Sequence, residues 1–442
     1  MNVTATKRPT PVKTPDDIMA DFRELLLNGC FSKDLAGLNA VGLENFNQIG
    51  FPDRKNEKFT YLDISEVANA GFHLRKEPSQ TTAIQVEDRL FPSTYKSRVV
   101  FVDGVYMEHL SDISAVRDQV ELLPLNDAFL QYPEIKQGTL QRAIAEDDPI
   151  ANLNSAFAMN GAYLRIKDGE TVTAPVEVLF LAARYKAAPL FTTPRMAIDI
   201  GAGSNVDIIF KDTKEHGPYM HNAVVDLTAK ENSTAFIYQF GLHSGTAWRF
   251  FKLNVDQYAK SSVKLVNIST GARISRHSYE WKLKEPGATM EIKSLAALDK
   301  KAKSHKYARV LHQAPDCSSR LLFKNMINDE ARSSVDSTVI VEPGASGSFS
   351  EQLIRNLLMS DKGRADNKPN LMIHADDVKC SHGATIGQLD DEILFYLMSR
   401  GLSREDATLT LLNGFAKEVT NSITEPYAAA VVEETILQRR GE

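Results

Sequence analysis

Near the C-terminus, "ADDVKCSHGATIGQLDDEILFYLMSRGLS" (375–403) places Cys380 two residues before His382, just after the paired acids Asp376 and Asp377. On a β-strand, positions i and i+2 share a face and lie about 6.6–7 Å apart along it, so a thiolate and an imidazole would point the same way. Cys and His together suit zinc or iron–sulfur chemistry. Two ligands do not complete a tetrahedral centre, so the others would come from elsewhere in the fold or from another subunit. A Cys nucleophile with a His base fits the same residue types, but it needs an orienting group and an oxyanion hole, and no motif supplies them. A structural Cys beside a satisfied or exposed His is the third reading. Asp376 and Asp377 are adjacent and face opposite sides of a strand, so they make no facing acid–base pair. Turn or solvated acids are the simpler expectation for them.

Other candidates are weaker. In "SHKYARVLHQAPDC", His305 and His312 stand near Cys317, but without the usual zinc-site spacings. "GLNAVGLE" from Gly37 has Leu43 where a phosphate-binding Lys would stand, which excludes nucleotide hydrolysis by a P-loop. "GAGSNV" from Gly201 begins like a dinucleotide fingerprint, yet Val206 replaces the third Gly and a strand pattern follows, so a turn is expected. Neither H-E-x-x-H nor G-x-S-x-G occurs.

The elements that must carry Cys380 and His382 are strands. From about residue 160, short alternating runs such as "RMAIDIGAGSNVDIIF" and "FKLNVDQYAKSSVKLVNI" are joined by small or Gly-containing turns. Turn residues Ser204, Ser233, Ser262, Ala288, Ser318 and Ala345 are separated by 29, 29, 26, 30 and 27 positions, a loose internal repeat. A unit of two strands cannot bury its apolar face alone and stacks on its neighbours. The expected fold is mainly β with α: a right-handed parallel β-helix (β-solenoid) core at 151–388, flanked by helical N- and C-terminal regions. A two-sheet sandwich is the alternative.

Before the core, residues 1–150 are expected to form a mainly helical region whose first 12 residues are disordered. Thr14, Pro15 and Asp17 start a helix that stops near Gly29, and "KDLAGLNAVGLENFNQIG" makes a second. Residues 86–150 look mixed. "SRVVFVDGVYMEHL" predicts a hairpin turning at Asp103-Gly104, and "PLNDAFLQYPEIKQGTLQRAIA" predicts helix around its Pro. After the core, residues 389–442 return to a helical period. Asp390 or Asp391 caps one helix, Ser403 and Asp406 make a capping box for the next, and Pro426 precedes the last.

Composition narrows the functional classes. The chain has 442 residues, enough for two or three domains, and a formal net charge of -6, which gives no nucleic-acid footprint. No apolar run approaches the roughly 18 residues of a membrane span, and the N-terminus lacks the apolar stretch of a signal peptide. Cys30, Cys317 and Cys380 are scattered and contain no C-x-x-C, which points to a reduced, cytoplasmic protein.

The stretch "RNLLMSDKGRADNKPNLMIHADDVKCSHGATIGQLDDEILFYLMSRGLS" (355–403) resembles the C-terminal signature of the SufB/SufD family of iron–sulfur cluster assembly scaffolds, with "DDVKCSHGATIGQLD" in the form of the SufD branch. "FPDRKNEKFTYLDI" (51–64) is similar to the family's front-end segment, with Phe59 where Trp is usual. Gly363 and Asn367 stand where Ala and Thr are usual. The resemblance implies a non-enzymatic subunit that pairs with a SufB paralogue and binds a SufC-type ABC ATPase, with sulfur delivered by a cysteine desulfurase and a sulfur-transfer protein. It implies a transient iron–sulfur cluster at the subunit interface, His382 as a ligand or proton-handling group, Cys380 beside it, and residues 390–425 as the ATPase contact. A homodimer of the isolated chain is compatible with it. Three rivals remain: a SufB-like main scaffold, which three cysteines disfavour; a β-helix carbohydrate-active enzyme, which would need clustered acids and export; and a thiol hydrolase using Cys380.

Overall fold

The computed structural model describes residue 24 and residues 32–74, 77–182, 189–214, 218–242 and 245–437. The expected disordered start and Cys30 lie outside them, as does the first expected helix apart from Glu24.

The strands are β1 (Arg98–Val102), β2 (Val105–Tyr106), β3 (Val120–Pro124), β4 (Ala162–Ile166), β5 (Val176–Ala182), β6 (Leu190–Thr192), β7 (Arg195–Ile200) and β8 (Asn205–Lys214). They continue with β9 (Tyr219–Ala229), β10 (Thr234–Gly241), β11 (Trp248–Gln257), β12 (Ser262–Ser269), β13 (Ile274–Leu283) and β14 (Thr289–Leu298). The last are β15 (Lys303–His312), β16 (Ser318–Ile327), β17 (Arg332–Val341), β18 (Phe349–Leu358), β19 (Arg364–Ile373) and β20 (Lys379–Gln388). Even-numbered strands from β8 to β20 stack in one sheet, sheet I, and odd-numbered strands from β7 to β19 in the other, sheet II. All these neighbours pair in parallel. That pattern is a β-solenoid of about seven turns, and it rules out the sandwich.

A three-residue device sets each coil. A residue in the left-handed region, a small buried residue and the first residue of a sheet I strand follow one another: Gly203-Ser204-Asn205, Asn232-Ser233-Thr234, Lys260-Ser261-Ser262, Gly287-Ala288-Thr289, Asp316-Cys317-Ser318 and Gly347-Ser348-Phe349. The middle residue of each is at most 1% exposed. A larger side chain has no room in that corner. The first two serines and Ser261 bond back to the carbonyl three residues earlier. The repeat expected from the sequence is present, but its phase slips in places: Ser261, Cys317 and Ser348 hold the corner, not Ser262, Ser318 and Ala345. Cys317 is thus a corner filler.

Inside, alternate residues of both sheets interdigitate. Leu253, Tyr279, Trp281, Val310 and Phe323 are among the buried members of one continuous core, and Trp281 donates its indole N–H to Gln257 Oε1 at 2.5 Å. β1 and β2 form the expected hairpin, with Asp103 and Gly104 both at positive φ, as a two-residue turn of that twist requires. β1 also pairs in parallel with β5, and β3 pairs with β4, so these early strands extend the two sheets.

Helices α1 (Ala36–Ile49), α2 (Ser65–Ala68), α3 (Ala83–Glu87), α4 (Leu125–Gln131), α5 (Pro133–Ile144) and α6 (Pro149–Phe157) belong to the N-terminal half. Phe46, Phe59, Leu153 and Phe157 pack with Trp248, Phe250 and Ile274 of sheet II. A buried ionic network locks the same surface: Lys252 Nζ donates to both oxygens of Glu146 (2.6 Å each) and to Glu280 (2.9 Å), Lys58 joins Glu280 (3.3 Å) and Asp147, and Arg276 joins Asp148.

At the C-terminus, α7 (Asp391–Ser399), α8 (Arg404–Thr420) and α9 (Pro426–Leu437) follow the last strand. Asp390 caps α7 and Ser403 caps α8. Ala416, Val419, Ile423, Ala428 and Val432 lie against Tyr238, Phe240, Val266 and Leu295 on the outside of sheet I. α7 differs: Leu394 is buried, but Ile393, Phe395, Tyr396 and Met398 are exposed. No described helix is long and apolar enough to cross a membrane.

Candidate functional site

β20 is the last rung of sheet I and pairs with β18 alone; β19 is the last rung of sheet II and pairs with β17 alone. Cys380 lies in register with Ser350, and His382 with Gln352. Ser350 and Gln352 are buried inward-facing residues, so Cys380 and His382 sit on the same inner face, one rung further out. The expected shared face is therefore present. Cys380 is half-buried against the core and His382 is exposed.

The rung beneath is fixed by hydrogen bonds. Gln352 accepts from Ser337 Oγ at 2.6 Å and donates to the Asn370 carbonyl at 2.9 Å, which ties β17, β18 and β19 together below His382. Ser350 bonds Ser319 at 3.0 Å, and Ser319 bonds His312 Nε2 at 2.8 Å. Ser350 and Gln352 precede Cys380 and His382 by one coil of 30 positions, and that offset is the signal by which the sequence could have revealed them. Exposed Met372, Ile373 and Ile386 border the same open end.

Burial pushes the Cys380 thiol above its ordinary value, opposed by a hydrogen bond from the Ser350 backbone N–H. To ligate a metal, a thiol held this way would have to give up its proton. Among the described residues, no third His, Cys, Asp or Glu stands close enough to these two to make a three-donor group. Cys380 and His382 are two soft-metal donor types on one face of the last strand.

The other sequence candidates do not assemble. His312 faces the solenoid interior between Ser319 and Ser348, while His305 bonds Ser334 on the outside of sheet II. Cys317 Sγ contacts the Glu285 carbonyl at 3.4 Å. Asp377 occupies the left-handed corner position and Asp376 stands beside it, so both are turn residues. Glu146, Asp147 and Glu280 come within metal-binding reach of one another, but Lys58 and Lys252 already fill that space with ammonium groups.

The model of the SUF system iron–sulfur cluster assembly SufBD core domain matches residues 183–415, and that of the SufBD protein N-terminal region matches residues 23–178. The chain belongs to the SufBD family. An iron–sulfur cluster assembly SufBD family protein of Synechocystis is 25% identical over 95% of this chain and 94% of its own length. The iron–sulfur cluster assembly protein SufD of Escherichia coli is 26% identical over 87% of this chain and 88% of its own. The chloroplastic protein ABCI7 of Arabidopsis thaliana is 25% identical over 84% and 78%. This SufBD protein is therefore an iron–sulfur cluster assembly protein similar to SufD, and the core model covers strands β6–β20 together with α7 and most of α8.

Proposed function

We propose that this chain is the SufD-like, non-enzymatic half of a cytoplasmic scaffold. It pairs with a SufB paralogue through the open end of its solenoid and takes energy from a SufC-type ABC ATPase. The observation that carries this reading is the unfinished last coil. β19 and β20 each present one unpaired edge, with His382, Met372, Ile373 and Ile386 exposed beside them. A sheet edge left open is a template for another chain. Strand pairing there would bring partner side chains over Cys380 and His382 and complete the donor set for a nascent cluster, which is cargo and not a resident group. Sulfur would come from a cysteine desulfurase through a transfer protein. The exposed apolar face of α7 is the ATPase contact, since α8 and α9 spend most of theirs on sheet I.

His382 offers what Ala cannot, an imidazole nitrogen able to ligate a metal. The test is complementation of cells lacking the native protein. His382→Ala should leave subunit ratio and complex stability unchanged while iron–sulfur maturation collapses, and Cys380→Ser should follow more weakly, a hydroxyl being a poor soft-metal ligand. A stable His382→Ala complex that matures clusters at the wild-type rate sinks the site. Failure to recover a SufB paralogue and an ATPase with the wild-type chain sinks the pairing.

A further inference from the structure

Several coils before the open end, a void of about 20 Å³ lies inside the solenoid. It has room for one particle of water or halide size and no more. Phe180, Phe210 and Phe251 wall it, and Arg249, His221 and His277 reach it from sheet II.

The polar groups around it are short of partners. Arg249 gives Nη2 to Asp212, which also borders the void, but its Nη1 is buried with no hydrogen bond. Both ring nitrogens of His277 are buried with none. Ser275 stands in register with Arg249 on the next rung, two residues before His277, and its buried hydroxyl has none either. These three side chains are at most 6% exposed. The chain makes space for the guanidinium: a Cβ on Gly241 would stand 2.7 Å from Arg249 Nη1. β11 and β13 thus gather a guanidinium N–H, a hydroxyl and an imidazole able to donate on neighbouring inner positions.

Charge separates an ion from a water. Lys306 lies in register with His277 one rung further on, is fully buried, and bonds Asn267 Oδ1 at 2.5 Å. No carboxylate pairs with it among the described residues. This stretch of the interior therefore sets two cationic side chains, Arg249 and Lys306, against one carboxylate, Asp212. Burial, and then Arg249, push the Lys306 ammonium well below its ordinary pKa, as follows for a buried cation without a counter-charge. A water in the void would leave that imbalance in place, whereas a singly charged anion would cancel it.

We propose that this void binds a monovalent anion of halide size. The anion takes N–H groups of Arg249 and His277 and the Ser275 hydroxyl, and it places a negative charge one rung from Lys306, which then keeps its proton. Sulfate and phosphate are too large to enter.

The test is urea denaturation of the full-length chain at constant ionic strength, with chloride replacing gluconate, and anomalous diffraction from crystals grown in bromide. Stability should rise with chloride and then follow a saturable curve, because an anion bound only by the folded chain adds RT ln(1 + [Cl⁻]/Kd). Lys306→Met removes the unbalanced cation and should raise the chloride concentration for half the effect at least tenfold. Ser275→Ala, a milder change that removes one donor, should raise it several-fold and serves if the first variant does not fold. Bromide should give one anomalous peak between Arg249 and His277. Stability indifferent to chloride, a Ser275→Ala response equal to that of the wild-type chain, or a peak without bromide signal, meaning water alone, would each overturn the proposal.

Discussion

At its early end the solenoid closes on itself. β1–β3 extend both sheets, and Asn160 covers the short β2 edge by accepting from the Tyr106 N–H at 2.8 Å and donating to its carbonyl at 3.0 Å. At the late end no comparable cover follows among the described residues. β17 is buried along most of its length, whereas β19, the next rung of the same sheet, is nowhere fully buried. Both pair in parallel in a one-to-one register, but β17 has a strand on each side and β19 on one side only. β17 has a further coil above it and β19 has none among the described residues, so stacking supplies much of the burial here, beside the strand's own residues. A strand at the growing face keeps its inner side chains available for chemistry, and Cys380 and His382 stand on such a strand.

The sharpest way to test that contrast is to damage both places and compare. Trp281→Ala removes a fully buried side chain and strands Gln257 Oε1, and it should cost about 3–5 kcal/mol by chemical denaturation. A loss near that of a surface change would mean that the interior is not tightly stacked.

Acid should weaken the interior next. Burial holds His221 and His312 down to about pKa 4. Unfolded chains take up these protons below about pH 6.5, before the folded state does, so their contribution is intact above that pH. It should drain away as pH falls toward 4, by up to about 3 kcal/mol for each histidine. Denaturation midpoints at pH 7 and pH 4.5 measure it, and His312→Gln should flatten the difference. Equal midpoints in the wild-type chain would contradict the sealed interior.

Asp390→Ala removes the cap of α7, worth about 1 kcal/mol locally, and amide exchange in 391–399 should rise about fivefold while β18 stays protected. Unchanged exchange would show that α7 is held by something other than its cap. The smallest effect belongs to the open end itself. His382→Ala should shift the stability of the isolated chain by no more than about 0.5 kcal/mol. A loss matching that of Trp281→Ala would make His382 a core residue and erase the difference between the rungs.

The parts legible beforehand were the local ones. Period-2 alternation put Cys380 and His382 on one face, and the repeated small turn residues exposed the coil length because each corner has the same narrow slot. The phase slipped where Cys317 fills that slot, since a cysteine does not look like a turn residue. What stayed hidden depends on distant partners. β1 meets β5 across more than seventy residues of intervening helix and strand, and no pattern in "RVVFV" announces it. Lys58, Lys252 and Glu280 look like solvated charges until the fold buries them together. The outward face of α7 and the sheet-facing sides of α8 and α9 have similar apolar stripes, so only packing separates the free surface from the spent one.

The corner device has a consequence for how the chain is made. Successive sheet I strands start 27 to 31 residues apart, so contacts between rungs of the solenoid link a segment to the one synthesised about one coil before it. Each finished coil is a ready surface for the next as it leaves the ribosome, and order spreads along the chain by accretion, without waiting for a remote segment. Synthesis halted just before Lys379 would leave a folded, shorter solenoid, correct in every rung except the one bearing Cys380 and His382.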